Sequence, residues 1–173
     1  MDVAVGTSAE PRDGIQGVAR VEIATGGPLG VLERLARIDG VDDEILFGVS
    51  PAWSSHYGVA EDEFPPHATT NDVFVASLAS CLLAVYAGAL RARGISVQKG
   101  DLTSRVSYDI GPVPGAGSEW IIRTIHIVYT LNVADDNERK TATRVLGFYE
   151  TGCPLSQTLK GSRCEITSEV EFE

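Results

Sequence analysis

Asn71-Asp72-Val73-Phe74-Val75-Ala76-Ser77-Leu78-Ala79-Ser80-Cys81-Leu82-Leu83 decides how this chain is read. The run stays apolar through Val85, Tyr86 and Leu90, and its pattern predicts a helix over 72–93. Thr69 or Thr70 can cap its start, Asn71 and Asp72 suit its positive end, and Arg91, Arg93 and Gly94 close it. A helix apolar on nearly every side reads as a buried central helix. Ser77, Ser80, Ala84 and Gly88 leave room for close packing, and Cys81 sits in the middle. A second segment, Gly152-Cys153-Pro154-Leu155-Ser156-Gln157-Thr158-Leu159, sets a cysteine just before a proline. Proline favours the first turn of a helix, so Cys153 falls at a helix cap, where backbone N–H groups favour a thiolate.

Alternation places strands on either side of these segments. Residues 18–25, 32–39 and 44–50 read as an N-terminal antiparallel meander, with turn chemistry at Gly26-Gly27-Pro28 and Asp39-Gly40. Residues 51–70 read as a long irregular connection, of a length that in a compact domain is usually functional or meets a partner. Further on, 101–110 and 120–131 alternate as strands, the second carrying Arg123 as an exception on its apolar face. A helix over 135–149, a short helix from Pro154 to Lys160 and a last strand over 164–172 complete the order. Helices are thus segregated from a largely antiparallel sheet, an α+β chain.

Composition narrows the function. A chain of 173 residues suits one domain over 18–173, preceded by a loose arm over 1–17. Hydrophobic content of 43% with 22% charge is that of a soluble globular protein. The net charge of −10 argues against nucleic acid and anionic membrane as partners. Residues 1–14 lack a secretory pattern, and Ser77, Ser80, Gly88 and Arg91 interrupt the apolar run too often for a membrane span, so the expected location is the cytoplasm. Three cysteines do not suit a structural disulfide framework. Taken singly, Cys81 is more easily a small hydrophobe, and Cys164 points inward on the last strand. Spacing alone does not bring Cys81 and Cys153 together.

The run 70–81, followed 72 residues after Cys81 by Cys153-Pro154-Leu155-Ser156-Gln157, resembles the OsmC/Ohr family of osmotically inducible and organic-hydroperoxide-resistance proteins. The family's pattern is a small-residue apolar helix ending in Ala-Ala-Cys or Ala-Ser-Cys, then a Cys-Pro-hydrophobic segment. The resemblance covers residues 18–173. It implies an intertwined α+β homodimer whose two cysteines meet in a small apolar pocket at the dimer interface. It also implies a thiol peroxidase for organic hydroperoxides: Cys81 would become a sulfenic acid, Cys153 would resolve it as a disulfide, and a small or protein dithiol would reopen that. No cofactor or metal is implied.

Two positions depart from the family pattern. Its glutamate ten residues before the cysteine is Asn71 here, with Asp72 the nearest acid, and Pro28 stands where its hairpin arginine is expected. Arg34 and Arg37 on the next strand are the candidate substitutes, paired with Asp72, because a cation beside the sulfur is what makes a buried thiol reactive. Two alternatives stand beside this reading. The chain could bind an apolar ligand with Trp53, Tyr57 and Phe64 as lining, or hold zinc through His56, His67 or His126 with a cysteine.

Overall fold

The computed structural model describes residues 18–24, 32–60, 65–113, 115, 117 and 119–173. The expected arm over 1–17, the turn at 26–28 and Phe64 lie outside the described residues. The chain divides into two compact units, Met1–Thr70 and Asn71–Glu173.

In the first unit, β1 (Ala19–Ile23), β2 (Arg34–Ile38) and β3 (Glu44–Phe47) form the expected antiparallel meander, in that order. Burial is slight: Val21 is 63% and Ile23 60% exposed. A small apolar cluster forms where Leu32, Trp53 and Val59 surround Val49. The connection after β3 is more regular than expected. It holds a 3₁₀ turn, Pro51–Trp53, and a short helix, α1 (Ser54–Tyr57), ended by Gly58 at φ +67°. Proline at the first position of the turn and the mutual contacts of the Trp53, His56 and Tyr57 rings, mostly edge to face, account for that order.

The second unit holds the core. The long helix α2 (Thr70–Arg91) ends in a Schellman arrangement: Ile95 N–H donates to Leu90 O and Gly94 N–H to Arg91 O, with Gly94 at φ +82°. Its buried side chains, Val75, Leu78, Ala79, Leu82, Tyr86 and Leu90, fall on a single helical stripe. The expectation of burial all round therefore does not hold within one chain. Phe74, Ser77, Ser80, Ala84 and Gly88 are exposed, because the opposite side is built from small residues around one aromatic. By length and a mean hydropathy of 2.2 the helix could also cross a membrane, contrary to the sequence reading. Its buried stripe, however, packs with Ile125, Ile127, Tyr129 and Leu131 as part of a core.

That core rests on a sheet of β4 (Leu102–Pro112), β5 (Trp120–Leu131) and β6 (Glu165–Phe172) in the order β4-β5-β6. β4 and β5 are antiparallel, but β5 and β6 run parallel. A parallel neighbour demands a crossover, supplied here by α3 (Asp136–Leu146), a 3₁₀ turn (Tyr149–Gly152) and α4 (Pro154–Leu159). Asp135 caps α3 by accepting from Asn137 N–H and Glu138 N–H. The register shifts at Asp109/Ile110, where Ile110 pairs with Ile122 and Asp109 with Thr124. This bulge leaves Arg123 as the extra residue, which resolves its odd place in the alternation. Arg123 is exposed and bridges to Asp109 at 2.6 Å.

Candidate thiol site

Cys81 and Cys153 meet. The Cys81 and Cys153 sulfurs stand 2.8 Å apart, within hydrogen-bond reach, and both are free thiols. A disulfide needs about 2.05 Å between sulfurs, so closure requires an approach of under about 1 Å. Their surroundings differ. Cys153 is fully buried, whereas Cys81 is partly exposed.

Local chemistry explains the placement. Cys81 is on α2, one position from the buried Leu82. Cys153 caps α4: its Sγ accepts from Ser156 N–H at 3.4 Å, and Pro154 occupies the first helical turn as expected. Its own N–H donates to Glu150 O at 3.0 Å, closing the preceding 3₁₀ turn. Gly152 lets that turn approach α2. A Cβ built on Gly152 would stand 3.0 Å from Cγ1 of Val85, one helical turn beyond Cys81.

Three tyrosines pack behind the pair. Tyr86 of α2, Tyr129 of β5 and Tyr149 at the start of the cysteine turn have ring centroids 4.9, 5.2 and 5.8 Å apart. The Tyr129 and Tyr149 hydroxyls are 2.9 Å apart, and Tyr86 donates to Ala142 O at 3.1 Å. Burial raises the pKa of all three phenols, most strongly those of Tyr86 and Tyr129.

Burial also raises the Cys81 pKa, and the adjacent Cys153 sulfur raises it further, because two sulfurs in contact do not both carry charge. A backbone hydrogen bond from Leu155 works weakly the other way. Asp72 is met by Tyr108, whose hydroxyl donates to Oδ1 at 2.6 Å. Arg37 is held at the surface of its own sheet by Glu44 at 2.7 Å and by Glu22. Arg34 donates to the Thr70 hydroxyl at 3.2 Å. Cys164 is partly buried and donates weakly to Glu165 O at 3.9 Å.

For the alternatives, His126 lies between Thr167 at 2.8 Å and Glu169 at 3.2 Å. Among the described residues, no three or more His, Cys, Asp or Glu side chains converge as a donor set for zinc. An apolar groove of about 330 Å³ is lined by Phe74, Ile121, Ile122 and Leu159, with Arg163 and Cys164 beside them.

The sequence reading missed Gly152, Tyr108 and the tyrosine cluster. A glycine directly before a capping cysteine was a usable signal for close approach. Inward positions for Tyr86, Tyr129 and Tyr149 were legible from periodicity, but contacts among three separate elements were not.

Comparison with known proteins agrees with this architecture. Solved structures with similar folds include an OsmC like protein from Mycoplasma pneumoniae, at TM-score 0.65 and 17% identity over 91% of this chain and 97% of that one. An organic hydroperoxide resistance protein from Elizabethkingia anophelis matches at TM-score 0.66 and 15% identity, over 94% and 99% respectively. OhrB, the organic hydroperoxide resistance protein of Bacillus subtilis, matches at TM-score 0.59 and 15% identity, over 91% and 98%. No curated protein matches the sequence significantly. Residues 63–169, more than half of the chain, match the OsmC-like protein family, and with the paired thiols in place the chain belongs to that family.

Proposed function

We propose that the protein is a thiol peroxidase for organic hydroperoxides. The single observation that carries this reading is the 2.8 Å contact between Cys81 and Cys153, with Cys81 the more accessible sulfur. The Cys81 thiolate attacks the terminal oxygen of ROOH. The O–O bond breaks, ROH leaves with a proton, and sulfur is oxidised to the sulfenic acid. Cys153 sulfur then attacks Cys81 sulfur, an S–S bond forms and water departs. A dithiol reductant exchanges with that disulfide and restores both thiols while being oxidised itself. Since burial disfavours the Cys81 thiolate, activity at neutral pH calls for a counter-charge. Arg34 is the better candidate, being met by a neutral hydroxyl where Arg37 is already engaged by two carboxylates. We assign Asp72, held by Tyr108, to orienting that cation.

A homodimer is part of the same proposal. The exposed side of α2, with Phe74 at 42% exposure among small residues, is suited to a second copy. Light scattering should give a dimer at micromolar concentration, and a stable monomer there would refute it. The activity is tested by supplying cumene hydroperoxide with a dithiol and measuring peroxide loss against alcohol formed. One alcohol per peroxide, abolished in Cys81→Ser, supports the reading; no consumption refutes it. The apolar groove beside Phe74 favours a second reading, ligand binding without turnover. Under that reading a fluorescent fatty acid would bind equally to the wild type and to Cys81→Ser, with no peroxide consumed.

A further inference from the structure

We infer that Tyr149, through its hydroxyl contact with Tyr129, is a positioning residue that holds Cys153 against Cys81. This deepens the peroxidase reading but rests on geometry that exists without peroxide. Tyr149 begins the 3₁₀ turn that ends at Cys153, so its side chain anchors the segment that delivers the second sulfur. Tyr86 lies five residues after Cys81 on α2, and its ring is 5.2 Å from that of Tyr149. The two cysteine-bearing segments are therefore packed on each other through these rings. Tyr129 on β5 fixes the pair to the sheet, by its 2.9 Å contact with the Tyr149 hydroxyl. Tyr86 and Tyr129 are fully buried and Tyr149 is 2% exposed, so no water competes freely for this pair. Cys153 lies in the same buried apolar cluster as Tyr86, Tyr129 and Tyr149. Proximity of reacting groups is valuable only when both are held, and Gly152 and the tyrosines together do this for Cys153.

The consequence is a high effective concentration of one thiol toward the other. It can be read from the equilibrium of the Cys81–Cys153 disulfide with mixtures of reduced and oxidised glutathione, using the full chain. Tyr149→Phe keeps the ring and removes the hydroxyl; it should lower this effective concentration about tenfold. Tyr129→Phe removes only the contact with Tyr129, the Tyr149 hydroxyl keeping Ser168, and should also lower the effective concentration, which keeps the test open if one variant fails to fold. Leu90→Ala, a core change elsewhere on α2, serves as the control for general loosening. It should lower the melting temperature while leaving the effective concentration within about twofold of wild type. Unchanged values in both tyrosine variants, or an equal loss in Leu90→Ala, would overturn the inference. So would a wild-type chain that forms no Cys81–Cys153 disulfide in glutathione. A disulfide that forms in glutathione but not with peroxide would leave the inference standing and remove the peroxidase reading.

Discussion

The region around the two cysteines and the N-terminal three-stranded sheet are built from similar alternating and apolar sequence, yet they are held together by different forces. Ile125, Ile127, Tyr129 and Leu131 on β5 are fully buried beneath α2, whereas Val21 and Ile23 on β1 are more than half exposed. Around the cysteines, position is set by packing: Gly152 against Val85, and three rings in contact. In the N-terminal sheet the visible cross-strand links are charged and solvent-exposed, Arg37 with Glu22 and Glu44. Packed contacts have no substitute when lost, while exposed ion pairs are replaced by water at little cost. Substitutions in the first region should accordingly have large effects, and most of those in the second should have small ones.

The largest effect is expected at the sulfurs. Cys81→Ser should abolish hydroperoxide consumption. Cys153→Ser should permit one turnover and then leave a sulfenic acid that dimedone traps, detectable as a mass increase on the Cys81 peptide. Turnover continuing in Cys81→Ser at the wild-type rate would remove the thiol mechanism.

Arg34→Met should slow peroxide consumption by about tenfold, a deliberate exception to the small effects expected of the N-terminal sheet. The check is the second-order rate constant at neutral pH. If it is unchanged, the counter-charge for Cys81 comes from elsewhere.

Gly152→Ala sharpens the packing side of the comparison. Its new methyl would meet a β-branched side chain on a rigid helix, and overpacking of this kind typically destabilises by about 1–3 kcal/mol. Urea unfolding measures it, and a variant as stable as wild type would mean that the turn can shift away from α2 without loss.

Cys153→Ala should move the Cys81 titration downward. Charge on the adjacent Cys153 sulfur disfavours the Cys81 thiolate, so removing that sulfur leaves burial alone to raise the pKa. The iodoacetamide alkylation rate of Cys81 should then rise with pH at a lower midpoint than in the wild type. A higher midpoint would contradict the sign. The smallest effect belongs to Arg37→Met, which should leave both this midpoint and peroxide consumption at wild-type values, since Arg37 is solvent-exposed and engaged by its own sheet.

Much of this contrast was legible in the sequence, and what was missed has a common cause. Trp120–Leu131 and the last strand follow directly from alternation, and the short helix after Cys153 follows from its proline. Alternation is a local property, so it could not reveal that β6 runs parallel to β5 or that a bulge expels Arg123. The apolar run 73–90 fixed a long helix but not which side of it is buried. That depends on the sheet it meets, which selected the stripe through Leu78, Leu82 and Tyr86. Cysteines 72 residues apart gave no geometric reason to meet, and only the family resemblance suggested it. The contact of the Tyr108 hydroxyl with Asp72 was not legible either. That contact crosses from a helix to a strand, beyond what residue order conveys.

The most direct test is a disulfide map after one equivalent of organic hydroperoxide. Reduced protein is treated, remaining thiols are alkylated, and peptides are identified by mass spectrometry. Because the sulfurs of Cys81 and Cys153 already stand 2.8 Å apart, the product should be an intrachain Cys81–Cys153 disulfide, with Cys164 alkylated and therefore free. A main disulfide containing Cys164, or three alkylated thiols with the hydroperoxide unconsumed, would contradict it.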